Sequence, residues 1–447
     1  MKIDLVLSTS QSYRDAVERG HPYRPYAPLT LAQLAALVPK ELDATVRITD
    51  LTQERLPSLD DADIVAISSI TCGIPSAYAL ADRMRSCGAT VVIGGSHATA
   101  LPDEAQDHAD AVVVGYAERS WPALLRDWKA GRLRKRYVDF SNPFSGRAVV
   151  PNRSLNASKG YLFNATAEAS RGCPNGCSFC ATACMNSGRV FLRPLPALRE
   201  DLDSLGDSVL FLDSNLIENH QPEGELFSLL GERGLSVYAG GTLKLAEDPG
   251  RVALAAKRGL RGLLVGFESM VAESVSGVGK TFNRPSAYAD AIRVLHDHGI
   301  KILGCFVFGF DGDDESVFDR TVEFAEKNHV DIVRFSIVTP LPGTALYRQF
   351  SSQGRILERD WELYDTEHVV FRPALMSPEK LADGLRIAYR QSYSLPSAFR
   401  RLAGAPFWLP SILGNLVFRS LAYRFDSARP REKGGCPGRE NQGAVRT

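Results

Sequence analysis

Arg171-Gly172-Cys173-Pro174-Asn175-Gly176-Cys177-Ser178-Phe179-Cys180 spaces three thiols as C-x3-C-x2-C. A helix would splay three thiols this close together. Pro174 and Gly176 instead allow a loop that curls around a compact, soft metal centre. A tetrahedral zinc site wants a fourth protein ligand, often in a second cysteine pair two residues apart. The sequence holds no second such pair and no H-x3-H; Cys184 is the one nearby thiol left over. Three thiolates without a fourth leave one iron of an iron–sulfur cluster open to an outside ligand, which chemistry at a cluster requires. Cys184 then reads as a small buried thiol.

The loop follows an apolar run, Thr166–Ala169, and five more runs recur behind it: Val209–Leu212, Leu235–Ala239, Gly262–Gly266, Ile300–Phe308 and Ile332–Val338. Six strands separated by helical patterns predict a partial (β/α)6 barrel, with chemistry at the C-terminal ends of its strands. Upstream, Ile3–Leu7, Ile64–Ser68, Val91–Ile93 and Ala111–Val114 alternate with helical patterns over Leu29–Val38 and Ser76–Ser86. That alternation predicts a flavodoxin-like, doubly wound parallel sheet with its ligand beyond the strands' carboxyl ends. The expected organisation is therefore α/β: residues 1–140 as the first domain, 141–165 as a linker and 166–375 as the barrel. A helical region over 376–425, with helices at Pro378–Tyr393 and Ile412–Tyr423, and a disordered tail over 426–447 complete it.

The chain has 447 residues, enough for about three domains. Lys plus Arg number 52 and Asp plus Glu 52, so the net charge is zero. A nucleic-acid protein shows a basic excess, so neutrality points to a small-molecule substrate and no nucleic acid. Met1-Lys2-Ile3-Asp4-Leu5-Val6-Leu7 is too short and too acidic for a signal peptide. A cytoplasmic, reducing location follows, in which eight cysteines form no structural disulfides. The chain is uncharged from Leu402 to Phe418, the lower limit of a bilayer span, but Pro406, Pro410 and Asn415 interrupt it. Core packing is the expectation there, with shallow membrane contact as the lesser alternative.

The cysteine spacing, the aromatic Phe179 before the last thiol and the position after the first barrel strand resemble the radical S-adenosylmethionine (SAM) enzymes. The resemblance implies that Cys173, Cys177 and Cys180 hold a 4Fe–4S cluster and that SAM chelates its open iron. An electron drawn from a reducing partner such as flavodoxin or ferredoxin then cleaves SAM to a deoxyadenosyl radical. It also implies SAM contacts at Phe179, at Glu268 in Gly266-Phe267-Glu268-Ser269 as the ribose carboxylate, and at Gly304 against the adenine. Thr242 and Lys244 would approach the SAM carboxylate, and Arg334 would serve SAM or substrate. Asp213-Ser214-Asn215 stands where the family commonly carries Gly-Gly-Glu, a departure that puts the amino-group contact in doubt.

Ahead of such a barrel, the N-terminal domain resembles the cobalamin-binding subclass. Pro28–Ala35, Ile67–Thr71, Gly94-Gly95-Ser96-His97 and Gly115-Tyr116-Ala117-Glu118 carry that likeness. It implies that Ser68, Ser69, Thr71, Gly94 and Gly95 receive the cobalamin nucleotide tail. The Asp-x-His-x-x-Gly cobalt-ligand motif is absent, and His97 and His21 read as hydrogen-bonding loop residues. The implied activity is methylation of an unactivated carbon on a small-molecule, natural-product or lipid substrate. Radical cyclisation, rearrangement or oxidation with the same cofactors stays open, and an iron–sulfur electron carrier is the alternative from another class.

Overall fold

The computed structural model describes residues 1–11, 26–59, 61–146, 149–157, 159–161, 163–186, 188–403, 411–412, 414–416 and 418–419. The N-terminal sheet has six parallel strands: β1 (Lys2–Leu7), β2 (Thr45–Asp50), β3 (Ile64–Ser68), β4 (Thr90–Gly94), β5 (Ala111–Gly115) and β6 (Arg136–Asp139). Their order is β2-β1-β3-β4-β5-β6. Chain direction across the sheet reverses between β1 and β3, the place where doubly wound folds open a ligand crevice. Two of these strands, β2 and β6, escape the apolar-run reading because their outer halves are exposed: Thr45 and Arg47 in one, Arg136 and Val138 in the other.

The second sheet is also six-stranded and parallel. It runs β7 (Thr166–Ala167), β10 (Ser208–Phe211), β11 (Ser236–Gly241), β12 (Leu260–Glu268), β13 (Lys301–Phe308) and β14 (Ile332–Ile337), in sequence order across the sheet. All six predicted barrel strands are present, each within a few residues of its expected bounds. Leu263, Val265, Phe267, Phe306 and Phe335 pack into the buried layer under the helices. Alternation therefore turns Leu264, Gly266, Cys305 and Arg334 to the opposite, inner face. A short antiparallel pair, β8 (Ser170–Arg171) with β9 (Phe191–Leu192), closes the base of the cysteine loop.

Strand β14 is a sheet edge, and two tyrosines from the C-terminal helical region satisfy it. The Tyr389 hydroxyl donates to Phe335 O at 2.7 Å and accepts from Phe335 N; Tyr393 does the same for Val333 at 2.6 Å. The helix Pro378–Ser392 thus blunts an edge that would otherwise pair with another chain. A further helix, Leu395–Ala403, follows it inside the region 376–425 read as helical. The segment 141–165, a linker by composition, is instead a packed strap. Asn152 N donates to Ala32 O at 2.9 Å, Tyr161 Oη to Asp50 at 2.7 Å, and Arg193 to Val149 O at 3.1 Å. Pro and Asn mark turns, and nothing in those residue types reports what the strap lies against. His21, the tail 426–447 and much of the Ile412–Tyr423 helix lie outside the described residues.

Candidate functional site

The cysteine loop leaves β8 through Gly172, whose φ of +97° suits glycine; a Cβ there would meet Arg189 O at 2.0 Å. Beyond it the loop is fastened at three points. Ser178 N donates to Val278 O and Leu346 N to Ser178 O, both at 3.0 Å. Phe179 stands edge-on to Phe310, at 5.7 Å between ring centres, so the aromatic before Cys180 anchors the loop to the end of β13. Cys173, Cys177 and Cys180 are free thiols. Burial pushes the Cys177 thiol up to about 11, with the nearby Lys280 ammonium pulling the other way. Asn175 and Asn215 point amide N–H groups at Cys173 Sγ from 3.5 and 3.6 Å. Such N–H···S contacts suit a thiolate bound to iron and tune its cluster. Among the described residues no group of three His, Cys, Asp or Glu side chains is set to hold a single metal ion. The Cys184 side chain lies outside the described residues.

The residues after β10 support this loop from beneath. Asp213 is buried and accepts hydrogen bonds from Ala169 N at 3.0 Å and from the Ser170 hydroxyl at 2.5 Å. Burial raises its carboxyl to about 7. Asn215 caps the short helix Leu216–Asn219, and that helix brings forward Glu218, a carboxylate that no sequence motif singles out. Glu218 accepts from Asn175 at 3.1 Å and from Lys244 at 3.3 Å, and also from the Thr242 hydroxyl. A carboxylate, an ammonium and a hydroxyl therefore gather beside Cys173, polar partners of both signs for an amino-acid group. Glu218 lies five residues past Asp213 in the chain. Its only signal in the sequence was an acidic residue in the first turn of a capped helix.

At the end of β12, Glu268 has a φ of +66° and sits at a register shift against β13. It is buried against Lys280, which also donates to Gly266 O at 2.8 Å. Asn283 donates to Gly266 O and Phe267 O at 2.8 and 3.1 Å, and Tyr288 to Phe267 O at 2.8 Å. Left-handed backbone at a non-glycine residue costs about 1–3 kcal/mol and persists only where surroundings over-determine it; these three donors do so. Register places Gly266, Cys305 and Arg334 in one row on the inner face. Burial raises the Cys305 thiol to about 11 and Arg334 counters it. Gly304 is placed otherwise than expected: its Cα faces the helix layer, 3.0–3.1 Å being all a Cβ would have to Val330 and Phe267. Alternation along β13 explains it, since Gly304 and Phe306 share a face and Cys305 takes the other.

On the N-terminal sheet, Ser69, Thr71 and His97 are buried at the ends of β3 and β4. Ser8 donates to Ser69 Oγ at 2.7 Å. Gly95, at φ +103°, lies so close to Ser69 that a Cβ would meet Ser69 O at 2.3 Å. Ser68 and Gly94 are neighbours across β3 and β4, half-buried at the same edge. His97 Nε2 meets Glu104 at 3.1 Å, while Nδ1 is buried without a hydrogen-bond partner. Burial lowers the His97 pKa, and the Glu104 carboxylate opposes that. Glycine-lined backbone, hydroxyls and an orphaned ring nitrogen fit the hydroxyl-rich nucleotide tail of cobalamin.

Two connections bring the cysteine loop to this sheet. Arg171 pairs with Glu118 at 2.6 Å, with Glu168 at 2.8 Å, and donates to Gln33 at 3.2 Å. The helix Ala181–Asn186, directly after Cys180, packs on the helix Ser96–Ala100 that carries His97, and Tyr116 hydrogen-bonds Asn186. Elements carrying the two candidate cofactor sites are therefore in direct contact.

A B12 binding domain family model matches residues 21–125. The chain is 30% identical over 409 residues to bacteriochlorophyllide d C-12(1)-methyltransferase of Chlorobaculum tepidum, covering 88% of this chain and 89% of that protein. It is 28% identical to the C-8(2)-methyltransferase of the same organism, over 89% and 92% of the two chains. In fold it is similar to the radical SAM methyltransferase TsrM of Kitasatospora setae, solved with cobalamin and a 4Fe–4S cluster bound, at a TM-score of 0.66 and 15% identity, covering 96% and 100% of the chains. It is also similar to the cobalamin-dependent radical SAM enzyme OxsB, at a TM-score of 0.67 and 13% identity, over 95% of this chain and 72% of that one. With the B12-binding match on the first sheet and a relative at 30% identity across nearly nine-tenths of both chains, this protein belongs to the cobalamin-dependent radical SAM methyltransferases.

Proposed function

We propose that this enzyme methylates an unactivated carbon on a chlorophyllide-type tetrapyrrole. The match along almost the whole chain to two bacteriochlorophyllide methyltransferases carries the reading. The inner face of the barrel sheet is compatible with it. Leu264 is 45% exposed there, apolar surface for a flat macrocycle, and the exposed Arg334 offers a guanidinium to a carboxylate side arm.

In this reading Cys173, Cys177 and Cys180 hold the cluster. When bound, the cluster supplies the electron for SAM cleavage and cobalamin carries the methyl group. Glu218, Lys244 and Thr242 receive the amino and carboxylate ends of SAM, Glu268 the ribose hydroxyls, and Phe179 keeps the loop seated. Ser68, Ser69 and Thr71, the backbone at Gly94 and Gly95, and His97 Nδ1 take the nucleotide tail. A small reducing protein of the flavodoxin or ferredoxin type feeds the cluster.

The test is anaerobic reconstitution with iron, sulfide and hydroxocobalamin, then reaction of the desalted protein with bacteriochlorophyllide d, reductant and SAM labelled in its methyl group. Retained cobalt and a product heavier by one labelled methyl group are expected. A product altered by loss of hydrogen or gain of oxygen, without the label, overturns the methyl-transfer reading.

A further inference from the structure

The chain between Ile356 and Phe371 leaves the barrel and returns to it. Ile356 bridges Phe371, and Leu357 N donates to Val370 O at 2.9 Å, so the excursion is tied at its base. Its tip, the short helix Trp361–Leu363, reaches the N-terminal domain. The Trp361 indole donates to Glu104 at 3.1 and 3.2 Å, and its ring centre is 5.2 Å from that of His97. Glu362 accepts from Gln11 N at 2.8 Å. On the way back, Thr366 O accepts from Ile337 N at 2.7 Å. Thr366 thus continues the row of edge contacts that Tyr393 and Tyr389 make along β14 at Val333 and Phe335. It stands at the strand's carboxyl end, where barrels of this kind do their chemistry.

Backbone at this return is strained. Thr366 has a φ of +71°, left-handed backbone that a β-branched residue rarely adopts and that clusters at ligand sites. Asp365 holds the turn. Its Oδ1 accepts from Glu367 N at 2.8 Å and from His368 N at 3.0 Å, and its Oδ2 meets His368 Nδ1 at 2.8 Å. The Asp365 side chain is 9% exposed and the His368 side chain 56%. A carboxylate only accepts, so Nδ1 donates and Nε2 is the ring atom left to meet another group.

Glu367 is open to solvent, yet burial raises its carboxyl to about 7, with Asp365 adding to the rise and His368 and Arg334 opposing it. A side chain has both properties where protein surrounds it without covering it, on the wall of a concavity. Arg334 belongs to the inner-face row of the barrel sheet. Glu362, bonded to the N-terminal domain, is among the carboxylates that act on His368. The turn is therefore within electrostatic reach of the barrel's inner face and of the contact with the N-terminal domain, where a substrate must lie to be reached from both cofactors.

An imidazole whose Nδ1 is held by a carboxylate is the arrangement in which histidine ligates metals through Nε2. Hydrogen bonding to Asp365 is the main cause that raises the His368 pKa, and burial opposes it. A more basic ring is a stronger donor once metal binding releases its Nε2 proton. Among the described residues no group of three His, Cys, Asp or Glu side chains is set to hold a metal ion. A single histidine suits instead a metal that arrives already held by other ligands. The magnesium of a chlorophyllide is such a metal, bound by four ring nitrogens with an axial position that takes a further donor. We propose that His368, oriented by Asp365, takes the open axial position of the magnesium in a chlorophyllide-type substrate, an assignment that rests on the tetrapyrrole reading of the function. One axial bond fixes the height and the face of the macrocycle, and Arg334 sets its rotation through a carboxylate arm.

The experiment measures binding of bacteriochlorophyllide d, and of the same pigment with its magnesium removed, to the reconstituted full-length protein by pigment fluorescence. The parent should bind the magnesium form at least about tenfold more tightly. His368→Ala should abolish that preference while holding the metal-free pigment as the parent does, and Asp365→Asn should fall between them. The coordination-sensitive visible band of the bound magnesium pigment should move in His368→Ala, and the hydroxocobalamin spectrum should not. Equal affinity of the parent for the two pigments overturns the proposal and leaves the tetrapyrrole reading standing, as does a preference that survives His368→Ala. Loss of both pigments alike in His368→Ala overturns it too, because the ring then acts on something other than magnesium. So does a changed cobalamin spectrum, which would place the ring on cobalt. If the parent binds neither pigment, the tetrapyrrole reading falls and the proposal with it.

Discussion

Arg171 and Glu118 meet at 2.6 Å across the two sheets, joining the residue two places ahead of Cys173 to the first turn of the helix after β5. Both side chains are mostly buried, and Glu168 shares the guanidinium. The two carboxylates hold the Arg171 charge against the burial that disfavours it. Arg171→Met strands two glutamates and should cost about 3 kcal/mol in denaturant unfolding of the apo-protein. Pairing it with Glu118→Gln should restore part of that loss; purely additive losses would mean that the two residues do not interact.

Gly172→Ala should prevent cluster assembly, because a Cβ at φ +97° meets Arg189 O at 2.0 Å. Iron and sulfide analysis after reconstitution reads this directly. Gly176→Ala, which meets nothing within 4 Å, is the matched control and should load normally.

Glu218→Gln should keep the cluster and weaken SAM binding by roughly tenfold or more, the value of a charge-assisted hydrogen bond to an ammonium group. Titration of SAM into the reconstituted protein, followed by cluster electron paramagnetic resonance, separates it from Cys177→Ala, which should lose cluster and SAM cleavage together. Unchanged affinity would remove Glu218 from the SAM site.

Glu268→Ala should likewise spare the cluster and raise the KM for SAM. It also releases Lys280 from its buried pairing, so Glu268→Gln, which retains a hydrogen-bonding oxygen, should be milder. Equal KM values in the parent and both variants would contradict the ribose assignment.

Asp213 makes stability depend on pH. Its carboxyl ordinarily titrates at 3.8, whereas burial in the folded protein raises it to about 7. Between those values the folded state holds a proton that the unfolded state has released, so stability falls as pH rises through the window. Thermal unfolding of the parent should therefore lose ground to Asp213→Asn from about pH 4 to about pH 7. A pH-independent difference between them would show that Asp213 does not titrate there.

Much of this protein was legible from local pattern. The apolar runs at Val209–Leu212 and Ile332–Val338 are strands because a parallel strand buried on a helix layer demands such a run, and C-x3-C-x2-C is a feature of adjacent residues. What residues 141–165 and Leu395–Ala403 lie against was not legible, for a shared reason. Their environments are set by distant groups: Ala32 O and the Asp50 carboxylate for the strap, the Val330 and Asp331 carbonyls for Arg401.

By itself, then, the sequence determined the two parallel sheets and the three-cysteine loop, since each depends on side-chain types at short, regular spacing, and through them it carried the resemblance to a family. Tertiary structure decided the rest. Glu218 becomes a partner of Asn175 and Lys244 only when three strand ends converge. Gly304 turns toward Val330 because one residue of alternation separates the two faces of β13. Arg171 finds Glu118 across 53 positions of chain because the sheets abut. Hydrogen bonds and ion pairs act over a few ångströms, and only the folded chain brings residues so far apart in sequence within that range.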